Sequence, residues 1–140
     1  IVNVLQSMIL TKGKDMVLTP TYYVFKMYNV HQDATYIPLE LNCDMMDVRD
    51  NRRIPMVSAT ASKDPNGKIH ISMSNVDADN AQEVTINLSG TKAKKAVGEI
   101  LTSTNLTDYN SFENPDNVKI NKDILKIKLP AKSIVTIELQ

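Results

Sequence analysis

The sequence predicts an all-β fold, an antiparallel β-sandwich preceded by a short segment of a different kind. From about residue 36 onwards, apolar and polar side chains alternate with a period of two, which is typical of strands that have one buried face. Before that point the alternation is absent, and an apolar run, a loop and a helical pattern follow one another. We therefore divide the chain into residues 1–34 and a sandwich domain of residues 35–140.

Residues 1–34 have the pattern of one β/α unit. The run over residues 2–10 is mostly apolar and suits a strand buried on both faces, and residues 11–15 are typical of a loop. Thr19 and Pro20 are a favourable N-cap and first residue of a helix. Because a single β/α unit cannot bury its own apolar surface, we expect this segment to be displaced, to pair with a second copy, or to cover the sandwich.

The predicted helix holds most of the aromatic residues of the chain, which has five tyrosines, two phenylalanines and no tryptophan. The helical ones are Tyr22, Tyr23, Phe25 and Tyr28. Their apolar arc is wider than a surface helix needs. We interpret these rings as an interface, towards another part of a longer protein and towards the sandwich, or towards a second copy in a homo-oligomer, rather than as a platform for sugars. The opening residues lack an initiating Met and the pattern of a signal peptide, so we expect a longer parent protein.

Seven stretches of the second segment carry the alternation, at the spacing of a sandwich. They are residues 36–41, 57–62, 68–74, 83–88, 96–101, 125–129 and 135–139. The sequence Asp64-Pro65-Asn66-Gly67 has the composition of a tight turn, so the second and third strands should pair directly. Residues 103–122 are polar and rich in turn formers, which indicates a long loop.

Composition excludes several classes of function. Sixteen basic and sixteen acidic residues cancel, so neither nucleic acid nor a membrane surface is a predicted partner. No apolar run approaches the roughly 20 residues of a transmembrane helix. The single cysteine, Cys43, excludes an internal disulfide and is expected to be a buried thiol. We expect a soluble protein whose location, cytoplasmic or secreted, depends on residues upstream.

No arrangement of side chains predicts a catalytic or metal site. Most of the five glutamates, Glu40, Glu83, Glu99, Glu113 and Glu138, lie at polar strand positions, where a solvated carboxylate is expected. The two histidines lie far apart in the sequence, which is not a zinc-ligand spacing. We therefore predict no cofactor and no metal. Residues 77–80 resemble the start of a calcium loop but lack the glycine and distal glutamate of an EF-hand, so a turn is the better interpretation and a loop calcium the alternative.

An autonomous carbohydrate-binding module is the alternative function. Such a module needs exposed aromatic faces on the sandwich. Tyr109 and Phe112, both in the long loop, are the residues that could supply them.

Several ordered stretches make the pattern more specific. In the first segment they are Val2-Asn3-Val4-Leu5-Gln6, Met8-Ile9-Leu10-Thr11 and the run from Leu18 to Tyr28. In the second they are the runs Gly67 to Asn75, Leu101 to Ser103, Asn110 to Pro115 and Leu129 to Val135. Together they resemble the C-terminal region of family 51 glycoside hydrolases, the α-L-arabinofuranosidases, over essentially the whole chain.

The resemblance implies a longer enzyme in which a (β/α)₈ catalytic barrel precedes a sandwich of jelly-roll type. It implies retaining hydrolysis of terminal α-L-arabinofuranosyl residues of arabinan and arabinoxylan, by two carboxyl groups about 5 Å apart. In the family both glutamates belong to earlier barrel strands, so the catalytic residues match no position here and the chain alone is expected to be inactive. Residues 1–34 would be the last β/α unit of the barrel, and the sandwich would support the barrel and oligomer assembly.

The resemblance also implies a place for one loop at the substrate pocket, because such barrels build their pockets at the carboxyl ends of their strands. In this chain the loop would be residues 11–19. Its apolar residues Met16, Val17 and Leu18 then predict a rim of the substrate groove rather than hydrogen bonds to the sugar. A loop that only packs on the barrel is the alternative.

Overall fold

The computed structural model describes residues 2–4, 6–90, 93, 95–123 and 128–140. The helix α1 is Pro20–Tyr28 and continues into a turn of 3₁₀ helix at Asn29–His31, and a second such turn lies at Arg49–Asn51. The strands are β1 (Ile9–Lys12), β2 (Asp15–Leu18), β3 (Thr35–Tyr36), β4 (Met45–Val48), β5 (Arg52–Pro55), β6 (Val57–Lys63), β7 (Ile69–Asn75), β8 (Gln82–Glu83), β9 (Ala96–Leu101), β10 (Asn121–Asp123), β11 (Lys128–Leu129) and β12 (Ser133–Leu139).

Six strands form the main sheet, which is antiparallel throughout and has the order β10-β9-β12-β7-β6-β3. Its centre consists of the long strands: β7 pairs along its whole length with β6 on one side and with β12 on the other. The period-two alternation predicted these strands and β9 to within a residue or two, because each has one apolar face that packs into the core.

One face of the main sheet carries the core of the sandwich. The side chains on this face are Val57, Ala61, Ile71, Met73, Ile100, Val135 and Ile137, all buried. A second layer covers them, with Ile37, Leu39, Cys43, Val84, Ile86 and Leu129. The predicted all-β antiparallel sandwich is therefore confirmed, and Cys43 is half-buried against the core as a free thiol.

The opposite face of the main sheet is covered at one end by α1. Met27 of the helix is 1 % exposed and forms one buried cluster with Leu101 and Val118. Tyr23 and Tyr28 pack against the same cluster. Of the three expectations for the first segment, covering the sandwich is thus the one that the structure shows.

The turn between β6 and β7 has the predicted chemistry. The carboxylate of Asp64 accepts hydrogen bonds from the backbone N–H groups of Asn66 and Lys68, both at 2.9 Å. Gly67 has φ of +86°, a conformation that side chains disfavour, and its N–H donates to the Asp64 carbonyl at 3.0 Å. The turn sets the register in which Lys63 faces Ile69.

The first segment differs from its prediction in detail. The predicted strand and loop are instead a hairpin of β1 and β2, in which Lys12 pairs with Asp15. Gly13 at φ of +60° allows this two-residue connection. Val2 and Val4 are about half exposed rather than buried on both faces, at 47 % and 57 %, and Leu5 lies outside the described residues.

Two predicted sandwich strands are only partly regular. Residues 37–41 follow β3 without forming a strand, and residues 84–88 follow β8 in the same way within the described part of the chain. Their side chains still alternate between half-buried and exposed over most of their length, because packing rather than pairing produces the pattern. The predicted strand 125–129 lies outside the described residues except for β11. The hairpin of β4 and β5 was not predicted, since its side chains are mostly exposed.

No helix in the described ranges is both long and apolar enough to cross a membrane.

Candidate functional site

The three predicted groove-rim residues lie on β2. Met16 is 59 % exposed, whereas Val17 is 2 % exposed, because successive side chains of a strand point to opposite sides. Leu18 is half-buried. Met16 is therefore the one of the three whose side chain is accessible at the surface of this chain.

The long loop is fastened to this hairpin by Asn110. The Asn110 side chain is 2 % exposed, and its Nδ2 donates to the carbonyl of Leu18 at 2.7 Å and to the carbonyl of Val118 at 2.8 Å. Its Oδ1 accepts from the N–H of Val118 at 2.7 Å. No sequence pattern predicts this role, because an asparagine in a turn-rich loop is more often a solvated turn residue.

The two loop aromatics differ in exposure. Tyr109 is 68 % exposed and precedes Asn110, while its carbonyl accepts from Asn117 Nδ2 at 3.2 Å. Phe112 is half-buried. Of this pair, only Tyr109 offers a free aromatic face.

The rings of α1 also divide into two groups. Tyr23 and Tyr28 face the sandwich, and Tyr22 meets Tyr23 edge to face with ring centroids 5.5 Å apart. Burial raises the pKa of Tyr28, and for Tyr23 burial and then the charge of Asp116 do so. Phe25 is 64 % exposed and is the ring that points away from this domain.

His31 joins the end of the helical segment to the main sheet. Its Nδ1 lies 2.6 Å from Ser62 Oγ and its Nε2 lies 2.8 Å from Ser72 Oγ, and Ser72 Oγ is 3.0 Å from Thr136 Oγ1. Because a neutral imidazole has one donor and one acceptor nitrogen, one serine donates to the ring and the other accepts from it. Burial, followed by the proximity of His70, lowers the pKa of His31.

The second histidine, His70, lies close by, because it pairs with Ser62 in the register of β6 and β7. His70 Nε2 lies 3.3 Å from Asp64 Oδ2. The spacing of the two histidines in the sequence does not indicate this proximity, because pairing between strands cannot be read from spacing. Among the described residues, no group of three or more metal-ligating side chains comes together.

Residues 77–80 form a turn in which the carboxylate of Asp77 already accepts hydrogen bonds from its neighbours. Asp77 is 8 % exposed, and its Oδ1 accepts from the N–H groups of Asp79 at 2.9 Å and Asn80 at 3.0 Å. These N–H groups hold the pKa of Asp77 low, with smaller help from the amides of Asn80 and Gln82. Donors therefore occupy the carboxylate oxygens that a calcium ion would need, which supports the interpretation as a turn.

The glutamates have surface environments. Glu40, Glu83 and Glu113 are exposed, and Glu99 is half-buried. Glu138 pairs with Lys68 at 2.9 Å, and the Gln140 amide and Lys68 hold its pKa low. A carboxylate held in its charged form in this way is unsuited to act as a general acid.

An open groove of about 550 Å³ lies near the C-terminus, and it is lined by Asn66, Gly67, Lys68, Ile69, Leu88, Ala93, Leu139 and Gln140. None of the predicted site residues lines it.

Comparison with known proteins identifies the family. The sequence matches the family described as the α-L-arabinofuranosidase C-terminal domain over residues 1–140. The chain therefore belongs to this family. The predicted resemblance to the C-terminal region of family 51 arabinofuranosidases is confirmed.

Individual relatives agree with the family assignment. The chain is 72 % identical to an intracellular exo-α-L-arabinofuranosidase of Bacteroides ovatus, in an alignment that covers 100 % of this chain and 29 % of the relative. The family 51 arabinofuranosidase of Xanthomonas axonopodis pv. citri superposes with a TM-score of 0.91 at 37 % identity, covering 100 % of this chain and 30 % of that one.

A more distant relative shows the fold alone. The α-L-arabinofuranosidase of Thermotoga maritima, solved as an arabinose complex, has a TM-score of 0.85 at 24 % identity, over 99 % of this chain and 32 % of that one. This α-L-arabinofuranosidase C-terminal domain thus spans less than a third of the length of its relatives.

Proposed function

We propose that this chain is the non-catalytic C-terminal domain of an α-L-arabinofuranosidase that removes terminal α-L-arabinofuranosyl residues from arabinan and arabinoxylan with retention. The observation that carries the proposal is the family match over the whole chain, together with relatives that are named arabinofuranosidases and are about three times as long. The two catalytic carboxylates would belong to an N-terminal barrel, because no glutamate described above has the buried, protonated environment of a general acid.

The domain's role would be structural support of that barrel. Residues 1–34 would complete the barrel, and Phe25, Val2 and Val4 offer exposed apolar surface for it. Apolar surface of this kind is characteristic of contacts within a larger assembly.

Release of nitrophenol from nitrophenyl α-L-arabinofuranoside tests this proposal. We expect activity from the full-length protein and none from residues 1–140 at the same molar concentration. Product stereochemistry, followed by NMR, should show retention of the anomeric configuration. Activity of residues 1–140 alone would contradict the proposal, and so would an inactive full-length protein that is folded.

A second candidate function, binding of plant polysaccharide by the sandwich itself, is favoured by Tyr109. A tyrosine with 68 % of its surface exposed on an otherwise anchored loop is suited to stack on a sugar ring. Isothermal titration of residues 1–140 with arabino-oligosaccharides would detect it. Tyr109→Ala should abolish the heat of binding, whereas Tyr36→Ala, at an equally exposed ring on the edge strand β3, should leave it unchanged. No heat at millimolar ligand would remove this candidate.

A homo-oligomer built through the α1 surface is a further part of the proposal. Because Phe25 is the exposed ring of the helix, Phe25→Asp should shift an oligomer of residues 1–140 to the monomer in light scattering. A strict monomer at high concentration would contradict assembly through this domain alone.

A further inference from the structure

Asn110 holds backbone groups of two segments that are far apart in the sequence. Both of its amide N–H groups are used, one by Leu18 of β2 and one by Val118 of the long loop, and its oxygen accepts from Val118. The side chain is 2 % exposed, so water cannot replace these bonds. Leaving such a buried polar group without a partner destabilises the folded chain, because the desolvation of that group is then uncompensated.

The bond to Leu18 is made at the base of the β1–β2 hairpin. Leu18 pairs with Ile9, and the next residue, Thr19, donates from its N–H to the Met8 carbonyl at 3.0 Å and from its hydroxyl to the Ser7 carbonyl at 2.7 Å. The hairpin is thereby closed on itself, and Asn110 is what ties its last residue to the long loop. Thr19 uses its hydroxyl here instead of capping α1.

The orientation of Met16 follows from this anchor. Met16 lies two residues before Leu18 on the same strand, so both side chains point to the same side of the hairpin. The side chain of the intervening Val17 points to the opposite side of the hairpin and is buried, at 2 % exposure. A rotation of the hairpin about its base would move Met16 and the hairpin tip together.

We propose that Asn110 is a positioning residue for the substrate groove: it sets the orientation of the β1–β2 hairpin and so the place of Met16 at the groove rim. This inference rests on the proposed function, in which the hairpin faces the pocket of the catalytic barrel. Asn110 itself contacts no substrate and acts through the Leu18 carbonyl.

The test compares two isosteric substitutions in the full-length protein. Asn110→Asp replaces the donating amide by an oxygen that faces two carbonyls. The matched control is Asn75→Asp. Asn75 is also 2 % exposed, donates to the carbonyls of Asn80 and Pro130 at 2.9 Å and accepts from the N–H of Asp77 at 3.0 Å, entirely within the sandwich.

Two readouts separate positioning from a general loss of stability. With an arabino-oligosaccharide as substrate, Asn110→Asp should raise KM about tenfold with little change in kcat, as expected when ground-state binding is lost. Asn75→Asp should leave both constants near those of the unsubstituted protein. Hydrogen exchange should accelerate at the amides of β1 and β2 in Asn110→Asp, while the amides of β7 and β12 keep their protection.

Equal kinetic effects of the two substitutions, or unchanged hairpin exchange in a folded Asn110→Asp protein, would overturn the proposal. Should Asn110→Asp not fold, Asn110→Ser removes the amide without adding a charge, and the same outcomes apply. A full-length protein without arabinofuranosidase activity would refute the proposed function, and the exchange experiment would still decide whether Asn110 orients the hairpin.

Discussion

At the scale of single residues, polar side chains decide how the N-terminal segment sits on the sandwich. His31 contacts Ser62 and Ser72 of two neighbouring strands, and Asn110 contacts Leu18. Neither residue could be predicted from the sequence as a contact, because each bond joins positions whose proximity depends on the completed fold. By contrast, Asp64 and Gly67 were predictable, since a tight turn needs its residues at fixed short spacing.

His31 should make the stability of the domain depend on pH. Its pKa in the folded state lies below the ordinary value of 6.5, chiefly because it is buried. The unfolded chain therefore binds a proton at this position more readily than the folded chain does. The stability contributed by neutral His31 is complete above the pKa that His31 has in the unfolded chain, and it is lost as the pH falls below 6.5. Urea unfolding at about pH 7.5 and about pH 5.5 should show a smaller decrease in His31→Gln than in the unsubstituted chain. An identical decrease of stability in the two proteins would show that His31 is not the source of the pH dependence.

Gly67 should be sensitive to the addition of a single methyl group. At φ of +86° a side chain is strained, and Gly67→Ala should lower the free energy of unfolding by about 1 kcal/mol or more. The control is Asn66→Ala, one position earlier in the same exposed turn, where φ is not positive. Chemical denaturation measures both, and equal effects would mean that the loss does not come from backbone conformation.

At the scale of elements, the sequence predicted which segments have a buried face better than it predicted their hydrogen bonding. The alternation predicts the strands β6, β7, β9 and β12 because each packs one apolar face on a buried part of the core. Residues 84–88 have the predicted half-buried alternation without a regular strand in the described part of the chain. The sequence predicts a strand and a loop where the structure has the hairpin of β1 and β2, because a short polar interval around glycine is common to turns and longer loops.

The helix α1 should derive its stability from one side chain on its buried face. Met27→Ala removes a side chain that is 1 % exposed and should destabilise the domain by about 2–5 kcal/mol through the cavity that remains. Phe25→Ala, on the same helix but 64 % exposed, should change stability by no more than about 0.5 kcal/mol. Urea denaturation of residues 1–140 compares them. A larger loss of stability from Phe25→Ala than from Met27→Ala would show that the helix packs by the face that carries Phe25.

At the scale of the whole molecule, both faces of the main sheet are covered by parts of one chain. The second layer of the sandwich covers one face, and α1 covers the end of the other that carries Leu101 and Ile134. The 3₁₀ turn lies on the same face beside Ser62 and Ser72. The predicted boundary at residue 34 therefore divides the sequence at a change of pattern, while the packing continues across it.

Removal of residues 1–34 should leave a sandwich with exposed apolar surface. Residues 35–140 alone would expose Leu101, Val118 and Ile134, so we expect them to bind the dye ANS and to unfold at a lower temperature than residues 1–140. Fluorescence and circular dichroism on the two chains test this. A truncated chain that melts at the same temperature without binding ANS would show that the helix contributes nothing to the fold.

The anchoring of the hairpin by Asn110 has a practical consequence for building hybrid proteins. The long loop of one protein carries the amide that the Leu18 carbonyl of the same protein requires, and the Ser7 and Met8 carbonyls complete that arrangement. A chimaera joined at residue 34 would separate these partners and combine a hairpin from one parent with a loop from another. A junction placed before Val2 keeps all of them in one piece, together with the bonds that join Asn3 to Ile9 and Thr11, and is the point at which this domain can be exchanged as a unit.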